Sequence, residues 1–246
     1  MNYADIKTID VQDGTGIRVS IYVSGCHFHC KGCHNKEAWD FNYGKKFDNS
    51  TIDYILDLMD HNYIAGLSIL GGEPMELSNQ EALLPLVQKV KEKFPNKDIW
   101  CYTGYKFEED LLGKMYKEFS FTKGLLENID IIVDGQFIEE KKLTDLKFRG
   151  STNQKKIDVQ ASLKQGKSVV LKFGDEERYE TPKNPKIIFF KEYKDEGQSV
   201  KEVAKENSTI SVVNNDIPLD APSYEIKEVK EKIAATGINN NISHNL

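Results

Sequence analysis

No apolar run in this 246-residue chain approaches the roughly 20 residues that a membrane-spanning helix needs, so no transmembrane helix is expected. Positive charge is short as well: 33 Lys and Arg face 39 Asp and Glu, for a formal net charge of −6. Without a broad basic surface the chain has little with which to grip a phosphate backbone, and nucleic acid is set aside as a partner. The first ten residues, MNYADIKTID, hold neither a basic segment followed by an apolar one nor a small-residue cleavage site, and the expectation is a cytoplasmic protein. Cysteine is scarce, with four in the chain, and bunching three of them together is not the layout of a disulfide framework. No Ser/His/Asp set or paired carboxylate stands at a spacing that suggests hydrolysis, and there is no internal repeat.

What is present is a regular alternation of strand and helix signals. Residues 17–23, IRVSIYV, alternate apolar and polar positions as a half-buried strand does, and the cysteine segment begins directly after them. A helix is predicted over about 50–62, with Ser50 and Asp53 as a capping arrangement. GLSIL at 66–70 reads as a buried strand that ends in Gly71-Gly72-Glu73-Pro74. A second helix is expected over 79–94, capped by Ser78 and Glu81, with Pro85 in conflict with that start. DIWCY at 98–102 is a third strand, followed by Thr103-Gly104-Tyr105; helix is expected over 106–119, and IDIIV at 129–133 is a fourth strand.

Strands that alternate with helices predict an α/β fold with a parallel sheet, twisted or partly closed into a barrel. Each strand carries its glycine-rich or cysteine-rich sequence just past its C-terminal end, and in βα folds those loops gather on one face. The texture changes after about Gly174. Residues 175–246 hold fourteen acidic and ten basic side chains, with short strand-like runs (187–190, 210–213) between charged helical stretches (198–206, 223–235). The expected organisation is therefore a main domain over 1–174 and a C-terminal appendage over 175–246.

The segment SGCHFHCKGCHN at 24–35 places Cys26, Cys30 and Cys33 at C-x3-C-x2-C spacing, close enough to wrap one inorganic centre. A structural zinc site prefers four closed ligands in two separated pairs, and a histidine could complete one here. A [4Fe–4S] cluster ordinarily takes four thiolates, so three would leave one iron open to a chelating ligand. His27, His29 and His34 are read as residues around the centre rather than as ligands, and Cys101, inside an apolar strand, as packing.

These residues carry a resemblance. Cys26, Cys30 and Cys33 after a first strand, with Gly-Gly-Glu-Pro after the second, resemble the radical S-adenosyl-L-methionine (SAM) superfamily. Gly14-Thr15-Gly16-Ile17-Arg18, followed by Gly25-Cys26 and Asn35, is similar to the glycyl-radical activating enzymes. Trp100, Thr103-Gly104-Tyr105, Val133-Asp134-Gly135 and Phe148-Arg149-Gly150-Ser151 with Asn153-Gln154 resemble the family that activates anaerobic ribonucleoside-triphosphate reductase. The likeness spans about residues 1–174; the family commonly has an aromatic residue at the position of His34 and phenylalanine at that of Tyr22.

The resemblance implies a partial (β/α) barrel of the radical SAM type, with parallel strands and helices outside. It implies a metal-binding oxidoreductase with one [4Fe–4S] cluster on Cys26, Cys30 and Cys33, and SAM on the open iron and against Gly32, Cys33, His34, Gly71, Gly72 and Glu73. An electron from a flavodoxin or ferredoxin would yield a 5′-deoxyadenosyl radical, which installs a glycyl radical on the anaerobic ribonucleoside-triphosphate reductase. No catalytic side chain independent of the cluster and SAM is expected, and a homodimer is compatible with the chain. Two alternatives stand beside this: an activase for another glycyl-radical enzyme such as formate acetyltransferase, and a non-catalytic zinc-binding interaction module.

Overall fold

The computed structural model describes residues 1–172. The expected appendage over 175–246, with its strand-like and helical runs, lies outside the described residues. Among the described residues seven strands form one sheet: β1 (Asn2–Asp10), β2 (Ile17–Val23), β3 (Lys45–Lys46), β4 (Ile64–Gly71), β5 (Asp98–Tyr102), β6 (Ile131–Asp134) and β7 (Lys155–Asp158). Their spatial order is β3-β1-β2-β4-β5-β6-β7. The expected strands are the four central ones, β2, β4, β5 and β6, and they are parallel. At both margins the expectation of a purely parallel sheet is corrected, because β1 and β3 on one side and β7 on the other pair antiparallel. β1 runs into β2 through a short turn, a connection too brief to hold the crossover that a parallel neighbour requires.

The alternation of side chains divides the sheet into two unlike faces. Val19, Ile21 and Val23 of β2, Leu67 and Ile69 of β4, Ile99 and Cys101 of β5 and Ile132 of β6 all enter the main core. Against them pack Ile52, Ile55 and Met59 of α1 (Asn49–Met59), Leu83, Leu86, Val87 and Val90 of α2 (Leu77–Lys93), and Leu125 and Leu126 of α4 (Ser120–Asn128). Between α2 and α4 a π-helix, Phe107–Met115, contributes Phe107 and Leu111 and continues into the single turn α3 (Tyr116–Glu118). α5 (Val159–Gln165) follows β7, and the chain then returns so that Val170 bridges Ile157 antiparallel. The opposite face carries Arg18, Ser20, Tyr22, Ser68, Trp100 and Tyr102, a largely polar set with a small apolar cluster of Trp100, Ile131, Val133 and Leu171.

Two helix starts differ from the sequence reading. α1 begins at Asn49 because Asp48, not Ser50, is its cap: the Asp48 carboxylate accepts from the Ser50 and Thr51 N–H groups at 2.9 and 3.2 Å. α2 begins at Leu77, before Ser78, with no side-chain cap, and Pro85 lies inside it. Proline removes one helical N–H and crowds the carbonyl four residues back. Pro85 sits on the exposed face, open to solvent, and Leu83, Leu86 and Val87 still reach the core.

Arg18 ties the N-terminal ends of the parallel strands together. Its guanidinium is fully buried and 2.6 Å from Asp98 Oδ1, and it donates to Ser68 Oγ at 2.7 Å, Leu67 O at 2.9 Å and Thr15 O at 3.1 Å. The plane passes 5.4 Å from the Trp100 ring. Gly66 is required beneath it, since a Cβ there would stand 2.8 Å from Arg18 Nη2 and 2.1 Å from Asp98 O. Arg18 thus braces the N-terminal end of the parallel strands, the end opposite the cysteine loop.

Candidate metal centre

The loops after β2, β4, β5 and β6 meet at the C-terminal edge and are stitched to one another through backbone groups. Gly72 N donates to Val23 O at 2.7 Å and Glu73 N to Gly25 O at 2.8 Å; Thr103 N donates to Val133 O at 2.9 Å and Gly135 N to Tyr105 O at 3.0 Å. The convergence predicted from the strand ends is thus present. Gly72 cannot be replaced in this arrangement, because a Cβ would lie 2.7 Å from the carbonyl oxygens of both Ala38 and Gly25.

Glu73 links two of these loops through its side chain. It is buried, with Oε1 accepting from Thr103 Oγ at 2.7 Å and Met75 N at 2.8 Å, and Oε2 accepting from Gly104 N at 2.7 Å. Thr103 Oγ in turn accepts from Tyr105 N at 3.1 Å. Burial raises the Glu73 carboxyl from 4.5 to about 7, against the pull of its three donors. A carboxyl raised on folding contributes its stability while protonated and loses it as pH rises from the unfolded value toward the folded one. In metal-free protein, the stability advantage of the native chain over Glu73→Gln should therefore shrink by on the order of 3 kcal/mol between pH 4.5 and pH 7.5. Denaturant titrations across that range measure it, and a constant difference contradicts it.

The cysteine loop carries three free thiols: Cys26 is buried, and Cys30 and Cys33 are half-buried. Burial pushes the Cys26 thiol up to about 11, while the backbone N–H groups of Phe28 and His29 pull it down. Burial also raises Cys30, opposed by the backbone N–H of Phe137. Left-handed backbone at His29 (φ 47°) and Gly32 (φ 75°) turns the chain between the thiols, and Cys33 N donates to Cys30 O at 3.1 Å. Among the described residues no three His, Cys, Asp or Glu side chains are drawn together as a ready metal-holding group. What the fold supplies for a metal is the donor set and the loop that carries it. Amide groups directed at sulfur and three unpaired thiols suit an iron–sulfur cluster, whose potential responds to such hydrogen bonds.

The three histidines of the loop take different places. His27 is exposed and its Nδ1 lies 2.9 Å from Glu76 Oε1. His29 stacks on Trp39 at 4.5 Å between centroids, and His34 is exposed with its ring 6.2 Å from that of Phe137. Cys101 is buried in the main core, as packing. Tyr22, where the family commonly has phenylalanine, uses its hydroxyl: it donates to Asp13 Oδ2 at 2.7 Å, in the turn that precedes Gly14. Burial and the neighbouring Asp10 raise the Asp13 carboxyl to about 6, against the Tyr22 hydrogen bond.

Several participants escaped the sequence reading. Phe28 fills the space over Gly104, where a Cβ would stand 2.5 Å from its ring, and meets Tyr105 edge-on at 4.8 Å. Phe137 and Trp39 flank the same loop. The aromatic residues interleaved with the cysteines and histidines were the available signal.

Residues 12–157 match the family described as "4Fe-4S single cluster domain". The chain is 41% identical over 156 residues to the anaerobic ribonucleoside-triphosphate reductase-activating protein of Haemophilus influenzae, covering 63% of this chain and 96% of that relative. It is 42% identical over 157 residues to the protein of the same name from Vibrio cholerae serotype O1, again covering 63% and 96%. This chain belongs to the anaerobic ribonucleoside-triphosphate reductase-activating protein family. The bacteriophage T4 member of the activating-protein family is 38% identical over 156 residues, with 92% of its length covered. The residues matched by the family lie within the described ones and include the four loops that follow β2, β4, β5 and β6; no helix among the described residues is long and apolar enough to cross a membrane.

Proposed function

We propose that this chain is a cytoplasmic radical SAM oxidoreductase that installs a glycyl radical on an anaerobic ribonucleoside-triphosphate reductase. The observation that carries the reading is the loop of three free thiols set against the Gly71-Gly72-Glu73 turn, in a chain whose relatives bear the name of that reductase's activating protein. Cys26, Cys30 and Cys33 would hold three irons of a [4Fe–4S] cluster, and the fourth would take the amine and carboxylate of SAM. Together the two cofactors supply, once an electron arrives from a flavodoxin or ferredoxin, reductive cleavage of the sulfonium and removal of a hydrogen atom from glycine Cα.

The protein's own part is placement. Gly71 and Gly72 keep the backbone open beside the thiols, and the backbone of Gly32, Cys33 and His34 would lie against SAM. Glu73 serves first as a brace: three of its carboxylate's acceptor positions are filled, which fixes Thr103 and Gly104 relative to the cysteine loop and leaves one for the SAM ammonium. Tyr105 and Phe28 form an aromatic wall beside it. The polar face of the sheet, which no helix among the described residues covers, is the inner face of a partial barrel in this reading.

Anaerobically prepared, reconstituted protein should contain about four irons and matching sulfide per chain. Reduced and supplied with SAM, it should generate a glycyl-radical signal in electron paramagnetic resonance on the anaerobic reductase. Stoichiometric zinc in a colourless protein would make it a zinc-binding module instead, and a signal on formate acetyltransferase alone would reassign the substrate.

A further inference from the structure

The chain between β6 and β7 folds back on itself, and its two halves have separate tasks. The second half holds the first. Gln154 Oε1 accepts from the N–H groups of Gly150 at 2.8 Å and Ser151 at 3.1 Å, while its Nε2 donates to Gly135 O at 2.9 Å. Asn153 Nδ2 donates to Gln136 O at 2.8 Å, and Ser151 Oγ accepts from Ile138 N at 3.2 Å. Arg149 Nη1 donates to Gln154 O at 2.8 Å, and Thr152 N to Lys141 O at 2.9 Å. The Arg-Gly-Ser-x-Asn-Gln segment thus directs its side chains at backbone atoms, its own and those of 135–138.

The first half, so held, lies on the cysteine loop. Lys31 Nζ stands 2.9 Å from Glu139 Oε2 and 3.3 Å from Glu140 Oε1. A Cβ on Gly32 would meet Glu139 Oε1 at 3.0 Å and Phe137 Cε1 at 3.2 Å; one on Gly150 would meet the opposite edge of the same ring, Cδ2, at 3.0 Å. The Phe137 ring is therefore fitted between a glycine of the cysteine loop and a glycine of the segment that holds it. Its backbone N–H faces the Cys30 sulfur.

We propose that residues 135–142 are a clasp over the cysteine loop, locked by Arg149–Gln154, and that Gln154, Phe137 and Lys31 are positioning residues which retain the cluster on Cys30. The proposal rests on the reading of Cys30 as a cluster ligand. Groups that orient metal ligands without touching the metal contribute roughly 10–100-fold to metal retention in other sites. Exposed ion pairs contribute far less to global stability, so the Lys31 contacts can be broken without unfolding the sheet.

The test uses the full chain. In reconstituted protein, Gln154→Ala should release iron to a ferrous chelator roughly tenfold faster than the native chain. Lys31→Glu, which sets three acidic side chains against one another, should accelerate release about two- to fivefold with an unchanged melting temperature. Combining Lys31→Glu with Glu139→Lys and Glu140→Lys should restore the native rate. Native-rate release in Lys31→Glu, or failure of the reversed charges to restore it, overturns the clasp. Hydrogen exchange on metal-free protein separates the two claims: residues 26–36 should lose protection in Gln154→Ala whether or not iron binds. If the native chain takes up no iron while that loss is seen, the cluster reading fails and the clasp stands as a contact; if protection is unchanged, the clasp fails by itself.

Discussion

Asp98→Ala should be the most destabilising single substitution outside the apolar core, lowering unfolding free energy by about 3–5 kcal/mol. Two buried groups depend on that carboxylate: Oδ1 is 2.6 Å from Arg18 Nη1, and Oδ2 accepts from Trp100 Nε1 at 2.9 Å. Removing it leaves a guanidinium with no exposed surface and an indole N–H without a partner, and an uncompensated buried charge costs far more than the pair contributes as a pair. Total stabilities run to roughly 5–15 kcal/mol, so the variant would give up a large share. Arg18→Lys should follow in the same direction, since an ammonium cannot reproduce a planar fork that reaches the Asp98 carboxylate, Ser68 and three carbonyls at once. Because this brace lies at the N-terminal margin of β2, β4 and β5, away from the cysteine loop, variants still folded at low temperature should bind iron normally. Chemical denaturation paired with iron analysis measures both halves. A stable Asp98→Ala protein that cannot bind iron would move Arg18 and Asp98 from support to cofactor contact.

The four parallel strands were legible because their periodicity and their punctuation agree: IRVSIYV, GLSIL, DIWCY and IDIIV each end at a glycine or cysteine turn that the fold uses. The marginal strands were not. β1, NYADIKTID, buries only Asp10 and leaves most of its length half-exposed between β2 and β3, so its apolar alternation is weak. β7 is four residues long, too short for a period to register. Pro85 misled because local propensity counts a lost N–H without knowing that Pro85 itself lies on the exposed face of the helix. The site divides in the same way. C-x3-C-x2-C is a local pattern and could be read directly, whereas the Glu73–Thr103 link joins residues 30 apart. The Arg149–Gln154 segment was visible as a motif, yet its partners are mostly backbone atoms, which have no signature in sequence.

Replacing Cys26, Cys30 or Cys33 with alanine should each remove the iron–sulfur absorbance and the cluster's paramagnetic signal, and with them reductive SAM cleavage, while Cys101→Ala should retain all three. The contrast separates chemistry from packing. The loop thiols lie among donors that favour a thiolate: Phe28 and His29 N–H for Cys26, and Phe137 N–H for Cys30. A thiolate is the form that binds metal, and ligation releases the proton, so uptake by thiols raised by burial should quicken as pH rises. Among the described residues no such donor faces Cys101. Its thiol is raised well above the ordinary value by burial and by nearby Glu73, and its side chain packs with Ile69, Ile99 and Ile132 in the helix-covered core. Cys101→Ala should therefore show its effect in stability alone, roughly 1 kcal/mol or a little more for a small buried side chain. Among the loop variants, Cys26→Ala should also disturb the fold most, since Cys26 is buried whereas Cys30 and Cys33 are half-buried. Iron retained by any single loop variant at the native four per chain would show that the cluster has a ligand outside this loop. Loss of iron in Cys101→Ala would identify that ligand, and would require β5 to be placed differently in the loaded protein.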